Sequence, residues 1–449
     1  MFGSTTFASR PLASGPLGSA LPTSFDVQPL PLPTELPQLF LANWLNGMIV
    51  NSAFETDLFL AEDQTEDRVA RTTIPHREMT TTFTGMSRDE SQELFLLALK
   101  GALERLPIPL PSDTSFLTIA ALTTDTTINC DTTSRRIYKG ARILIFDIDS
   151  NGIPIKQSFN RILSFTTTTI TFTAAIGFAY PINALVIPLI DCHLNINQSG
   201  SFITDYNFNL PYVYREVEGP SSLPRMALSS NYSLHEGDPI FFPTHDWLSI
   251  PSISIRRPGT QFSSGNATII TTRGSKSEVD FTVSIKALTR VEAIDIISLF
   301  EDRLGRARIF WFVNLLNIWD VLAITTTTID VDKSSSLALI LSEITYIGVV
   351  TKKGAIQIRA ITSIIDTSST FRISIGSLAP AITLAEVAKV APAYNVRFAE
   401  DGLTETWSTD QTCTMDLRLK ELVNENSIPL GTTTPIPAFD SGFDEGFPI

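Results

Sequence analysis

An internal repeat constrains this chain more than any other feature. Ser87-Arg88-Asp89-Glu90 opens the apolar run ELFLLALKGALERL, and 202 positions later Thr289-Arg290-Val291-Glu292 opens AIDIISLFEDRL. Thr126-Thr127-Ile128-Asn129-Cys130-Asp131 returns as Thr327-Thr328-Ile329-Asp330-Val331-Asp332 at an offset of 201, and Ala175-Ile176-Gly177 as Ser374-Ile375-Gly376 at 199. Three matches in one order at nearly constant spacing point to a module used twice, and such a period governs the whole architecture. The expected organisation is an extended Pro-rich arm over 1–49, a β-rich module over 50–195 and a linker over 196–244. A second β-rich module over 245–425 and an acidic tail over 426–449 follow.

Each module has the same internal grammar. A polar, β-prone stretch comes first; in the second module Val279, Phe281, Val283 and Ile285 alternate with polar residues, the period of a half-buried strand. A helix follows. Ser87 with Glu90, and Thr289 with Glu292, have the spacing of capping boxes, in which hydroxyl and carboxylate satisfy each other's end of the first turn. Leu94, Leu97, Ala98 and Leu103 form one apolar face, and Ile294, Ile297 and Leu304 the other. Pro107 and Pro109 end the first helix and Gly305 the second. Short strands are then expected at Leu117–Ile128, Ala141–Asp147, Ile153–Ser164 and Thr167–Phe172, and at Tyr346–Thr351, Ala355–Ile361 and Phe371–Ile375. Gly140, Gly152, Gly354 and Gly376 supply the turns. The fold class is α+β, mainly β: two homologous modules of antiparallel sheet or small barrel, each with one main helix. In the linker, Tyr206, Phe208, Tyr212 and Tyr214 predict packing against a neighbour.

Composition narrows the function. Hydrophobic residues make up 43% of the 449, enough for a buried core, and 33 basic against 47 acidic residues leave a net charge of −14. Nucleic-acid affinity depends on clustered Lys and Arg, so a specific nucleic-acid surface is not expected. No apolar run reaches the ~18 residues that span a bilayer, and the first twenty residues lack a secretory core. Cys130, Cys192 and Cys413 lie far apart, the usage of a reducing cytosol. Only His76, His193, His235 and His245 could titrate near neutrality as imidazoles.

Candidate chemistry is sparse. Asp147-Ile148-Asp149-Ser150-Asn151-Gly152 matches the first half of a calcium loop, but Ser158 stands where a bidentate Glu belongs, and Asn151-Gly152 is equally a hairpin turn. Glu62, Asp63, Glu66 and Asp67, beside Arg68 and Arg71, are read as a solvated face or charge pairs rather than an acid–base pair. Asp191, Cys192 and His193 are adjacent, yet no second His or Cys cluster supports a metal. Nucleophile-elbow, zincin, P-loop and dinucleotide motifs are absent. No catalytic residue, metal or cofactor is therefore expected. The run Ile309–Val313, with Trp319-Asp320, is read as core, with an interface as the alternative.

Three segments carry a family resemblance. They are Glu66-Asp67-Arg68-Val69-Ala70-Arg71 with Pro75-His76-Arg77; Gly305-Arg306-Ala307-Arg308-Ile309-Phe310-Trp311-Phe312 with Trp319-Asp320; and Tyr394-Asn395-Val396-Arg397-Phe398-Ala399-Glu400-Asp401 with Trp407 and Leu417 to Leu422. Together they make the chain resemble the distal tail proteins of long-tailed bacteriophages, over residues 60–425. The first module departs from the pattern, with Pro107-Ile108-Pro109-Leu110 in place of the Phe-Trp run. The resemblance implies a structural, non-enzymatic virion protein assembled in the host cytoplasm. It would form a homo-oligomeric ring, commonly a hexamer, joining the tail tube to the hub and fibres, beside the tape measure and away from any membrane. An acidic lining would let passing DNA slide. The alternative is a receptor- or glycan-binding baseplate component.

Overall fold

Alternation is what builds this molecule. Phe281, Val283 and Ile285 are buried along one face of the strand Glu278–Thr289, as their spacing predicts. A computed structural model describes residues 47–422 apart from 61–65, most of 86–105, 149–153, 196–199, 203–207, 218–222, 244–251, 257–258, 265–266, 273–277, 315–317, 334–343 and 368. The protein is mainly β; among the described residues 24 strands form one hydrogen-bonded sheet, beside two separate hairpins, Thr56–Leu60 with Glu66–Ala70 and Gly259–Ser264 with Ala267–Thr272.

The second-half helix runs from Arg290 to Asp302 with both arms of the predicted capping box formed at Thr289 and Glu292. Ile294, Ile297 and Leu304 are buried in the core beneath it. Its exit takes two left-handed residues, Leu304 at φ 55° and Gly305 at φ 62°. A side chain at 305 would also crowd Asp401, so glycine is needed there on two counts. The first-half helix expected from Ser87 lies largely outside the described residues.

Strand pairing follows one plan in each half, and every pair in the plan is antiparallel. In the first half His76–Gly85 pairs with Phe208–Glu216, which also takes Ser201–Phe202 and the end of Leu185–Leu194. Leu185–Leu194 pairs with Leu106–Pro109 and Arg142–Ile148, and the ladder continues through Pro154–Phe165 and Thr169–Phe172 to Thr127–Asn129. In the second half Glu278–Thr289 pairs with Thr412–Glu421, which takes Gly402–Trp407 and the end of Val387–Phe398. Val387–Phe398 pairs with Phe310–Val313 and Tyr346–Thr351, and the ladder continues through Ile356–Asp366 and Thr370–Ile375 to Thr328–Asp332.

The pairing circuits close in both halves. Leu117 bridges Cys130 while Ser115 pairs with Val186; correspondingly Val321 pairs with Val331 while Trp319 bridges Val390. Each circuit encloses its own apolar cluster. Ile128, Ile143, Ile145, Ile170, Phe172 and Val186 fill the first, and Ile329, Ile347, Val349, Ile373, Ile375 and Val390 the second. Even local bonds correspond: Leu110 N–H donates to the Pro188 carbonyl and Asn314 N–H to that of Pro392. Hydroxyls pair across Thr166 and Thr169 and again across Thr367 and Thr370.

Two expectations need correction. The stretch 196–244, expected to be a linker, supplies Phe208–Glu216, a strand buried through Tyr212 and Tyr214, and the pair Leu234–His235 and Asp238–Phe241. Alternation of aromatic and polar residues could have revealed that strand. Leu117–Ile128, expected as one strand, is two bridging ends around a turn closed by Asp125 N–H on the Leu122 carbonyl. The arm before residue 47 and the tail after 422 lie outside the described residues.

Candidate functional site: an ionic seam between the halves

The strand Met48–Ala53 joins the two halves. One edge pairs with His76–Thr81 and the other with Gly402–Trp407, so its alternate residues Met48, Val50 and Ser52 are wholly buried. Around the junction lies a set of charged side chains, all buried except the half-buried Lys420.

Arg77, at the start of its strand, donates to Glu216 Oε2 at 3.1 Å, to the Leu223 carbonyl at 3.0 Å and to Glu301 Oε1, on the helix of the other half, at 2.8 Å. Arg136 donates to Asp113 at 3.1 Å and across the seam to both oxygens of Glu405 at 3.3 and 2.8 Å. Arg290 reaches back from the helix to Asp113 and the Ser112 carbonyl, with its guanidinium 5.4 Å from the Trp407 ring centre. Glu66 accepts from Arg397 at 2.7 and 3.0 Å and from Lys420 at 2.5 Å.

Five cations (Arg77, Arg136, Arg290, Arg397, Lys420) thus meet five carboxylates (Glu66, Asp113, Glu216, Glu301, Glu405), with Arg135 beside Asp113 and Arg290 and facing the exposed Asp131 at 4.0 Å. Burial alone would raise the Glu66 carboxyl, but the hydrogen bonds and charges of Arg397 and Lys420 outweigh it and hold it at about 2. Asp113 is likewise lowered against its own burial by Arg136 and Arg290. Burial would lower Arg77 and Arg136, yet their carboxylate partners raise both. Glu66, Asp113, Arg77 and Arg136, held in their charged forms, cannot shuttle protons near neutral pH. Their geometry suits a clamp, because a buried pair costs desolvation and repays it only in one register.

The residues singled out from sequence fall as follows. Glu66 is buried in the seam and paired with Arg397 and Lys420, the charge-pair alternative rather than the solvated face, while Asp67 is exposed and Arg71 pairs with Asp57 at 2.7 Å. Glu62 and Asp63 lie outside the described residues. Asp191, Cys192 and His193 are consecutive on one strand, so alternation sends Cys192 inward and His193 outward; Asp191 binds Arg142. All three cysteines are free and buried, and burial pushes the Cys130 thiol up to about 11. Asp147 lies opposite Lys156, so Arg142–Ile148 and Pro154–Phe165 pair as an antiparallel hairpin, while 149–153, with the calcium-loop and Asn-Gly positions, fall outside the described residues. Phe310, Trp311 and Phe312 are core, and Trp319 is nearly so.

Two surfaces are the other candidates. A cleft of about 660 Å³ is lined by His235, Lys352, Lys353, Gln357, Arg359 and Glu386 among others. Burial, assisted by Arg359, holds His235 below its ordinary value against the pull of Glu236. The Arg359 guanidinium is spent on the carbonyls of Ser377 and Ile358 and on the Gln357 side chain. On the first half, Ile155, Phe159, Leu163 and Phe165 share one face of Pro154–Phe165, and all four are exposed. No protein family matches this chain, and neither does any curated protein.

Proposed function

We propose that this chain is a structural protein of a phage tail tip, one ancestral module used twice, acting through interfaces in a homo-oligomeric ring that joins tail tube to hub and fibres. The observation that carries the duplicated-module part is the matched pairing plan, kept through both closed circuits and both hairpins. A further sequence match supports it: Asn43-Trp44-Leu45 and Asp246-Trp247-Leu248 stand 203 positions apart. Two similar modules offer pseudo-equivalent surfaces, which suits head-to-tail contacts that close on themselves. The seam, in which every buried carboxylate is held by at least one cation, supports a mechanical role over a chemical one. The tail-tip part rests on the resemblance of the three quoted segments, and the charge of −14 suits a lumen that DNA slides through.

Mass spectrometry of purified virions tests the tail-tip reading. The chain is expected at stoichiometric level in the tail fraction; its absence from particles would sink the viral assignment. A second reading, a receptor- or glycan-binding baseplate component, is favoured by the exposed stripe of Ile155, Phe159, Leu163 and Phe165. Glycan-array binding lost in Phe159→Ala would favour it.

A further inference from the structure

The strand Ser252–Arg256 stands in the second half where Met48–Ala53 stands in the first. Each pairs antiparallel with its half's long strand, Glu278–Thr289 or His76–Gly85, and each is followed by a separate hairpin. Aligning these ladders places Val50 with Ile253 and Ser52 with Ile255. Their surroundings are opposite. Val50 and Ser52 are 0% exposed because Gly402–Trp407 covers the second edge of their strand, whereas Ile253 is 38% and Ile255 70% exposed. Among the described residues no strand pairs with that other edge of Ser252–Arg256.

The counterpart of Gly402–Trp407 is Ser201–Phe202, which holds the same place beside Phe208–Glu216. It shows no pairing with Ser252–Arg256 in the same chain. The contact between the halves is therefore head-to-tail, and among the described residues each half keeps one of its two edges unpaired. Such a contact repeats until it closes into a ring or runs on as a filament. A bare edge strand carrying Ile253 and Ile255 is also a hazard that folded proteins ordinarily cover. Arg290 and Lys420 sit in the seam, and their counterparts Arg88 and Arg215 lie exposed on the flank of the first half.

We infer that a second copy of this chain docks its own Ser201–Phe202 strand against the Ser252 end of the edge of Ser252–Arg256, repeating between copies the kind of sheet contact that Met48–Ala53 makes with Gly402–Trp407 within one. The inference rests on the duplicated-module reading above and not on the viral one. Transferring the register of Ile49 opposite Thr406 places Ser252 of one copy opposite Ser201 of the next.

The double variant Ser201→Cys with Ser252→Cys, in the full chain, tests this. Both serines are exposed and the three native cysteines are buried and free, so they do not compete. Mild oxidation is expected to give disulfide-linked species larger than a dimer on a non-reducing gel, while each single variant stops at dimer. Linkage within one chain, or no linkage in an assembly seen by native mass spectrometry, would overturn the inference. So would a strictly monomeric chain at high concentration. Ile255→Lys, at a surface position that folding does not need, is expected to weaken self-association at least tenfold; unchanged association would also overturn it. Absence from virions would sink the viral reading while leaving the cross-link standing.

Discussion

Glu66 shows how one residue's environment sets a measurable property of the whole protein. Its carboxyl is held at about 2, against an ordinary 4.5, by Arg397 and Lys420. A carboxylate whose folded value is depressed contributes stability above its unfolded value and loses it as pH falls through the folded one. The window here is pH 4.5 down to 2. Glu66→Gln is expected to flatten the acid limb of unfolding in that window, and to cost about 3–5 kcal/mol at neutral pH by leaving Arg397 buried without its partner. Urea titrations across pH 2–7 read both effects. Only the charged cluster around residue 66 was legible in sequence. Its burial was not, because Arg397 lies 331 positions away, as Glu405 lies 269 from Arg136.

Among the elements, those with a local signature were legible. The capping box at Thr289 and Glu292 began the helix where its spacing said, and Tyr346–Thr351 begins and ends at the expected residues. Elements defined by their partners were not. Phe208–Glu216 has Pro211 within it and lies in the stretch expected to be a linker, yet it is a strand because His76–Gly85, Ser201–Phe202 and the end of Leu185–Leu194 pair with it. Packing between elements also decides single positions. A Cβ on Gly348 would lie 2.9 Å from Val313 Cγ2 on the strand Phe310–Val313. Gly348→Ala is expected to cost about 1–3 kcal/mol through overpacking. Adding Val313→Ala should restore part of that, so the double-mutant cycle shows coupling; additive losses would refute the contact.

At the scale of the molecule, the halves share one strand, one ionic seam and one large apolar cluster that runs from Met48 through Phe300 to Leu419. Two units joined in this way unfold together. Calorimetry is expected to give a single transition, and Val50→Lys, which puts a charge into the wholly buried seam, should lower it as one peak by on the order of 3 kcal/mol. Two separated peaks would show that the halves are independent. The sequence by itself determined the mainly β class, the helix start and the period near 200, since each is written in residues close together. Tertiary structure alone decided which strand bridges the halves, which carboxylates are buried and which edge stays open. Backbone edges are chemically alike along every strand, so pairing across hundreds of residues leaves no local trace until the chain has folded.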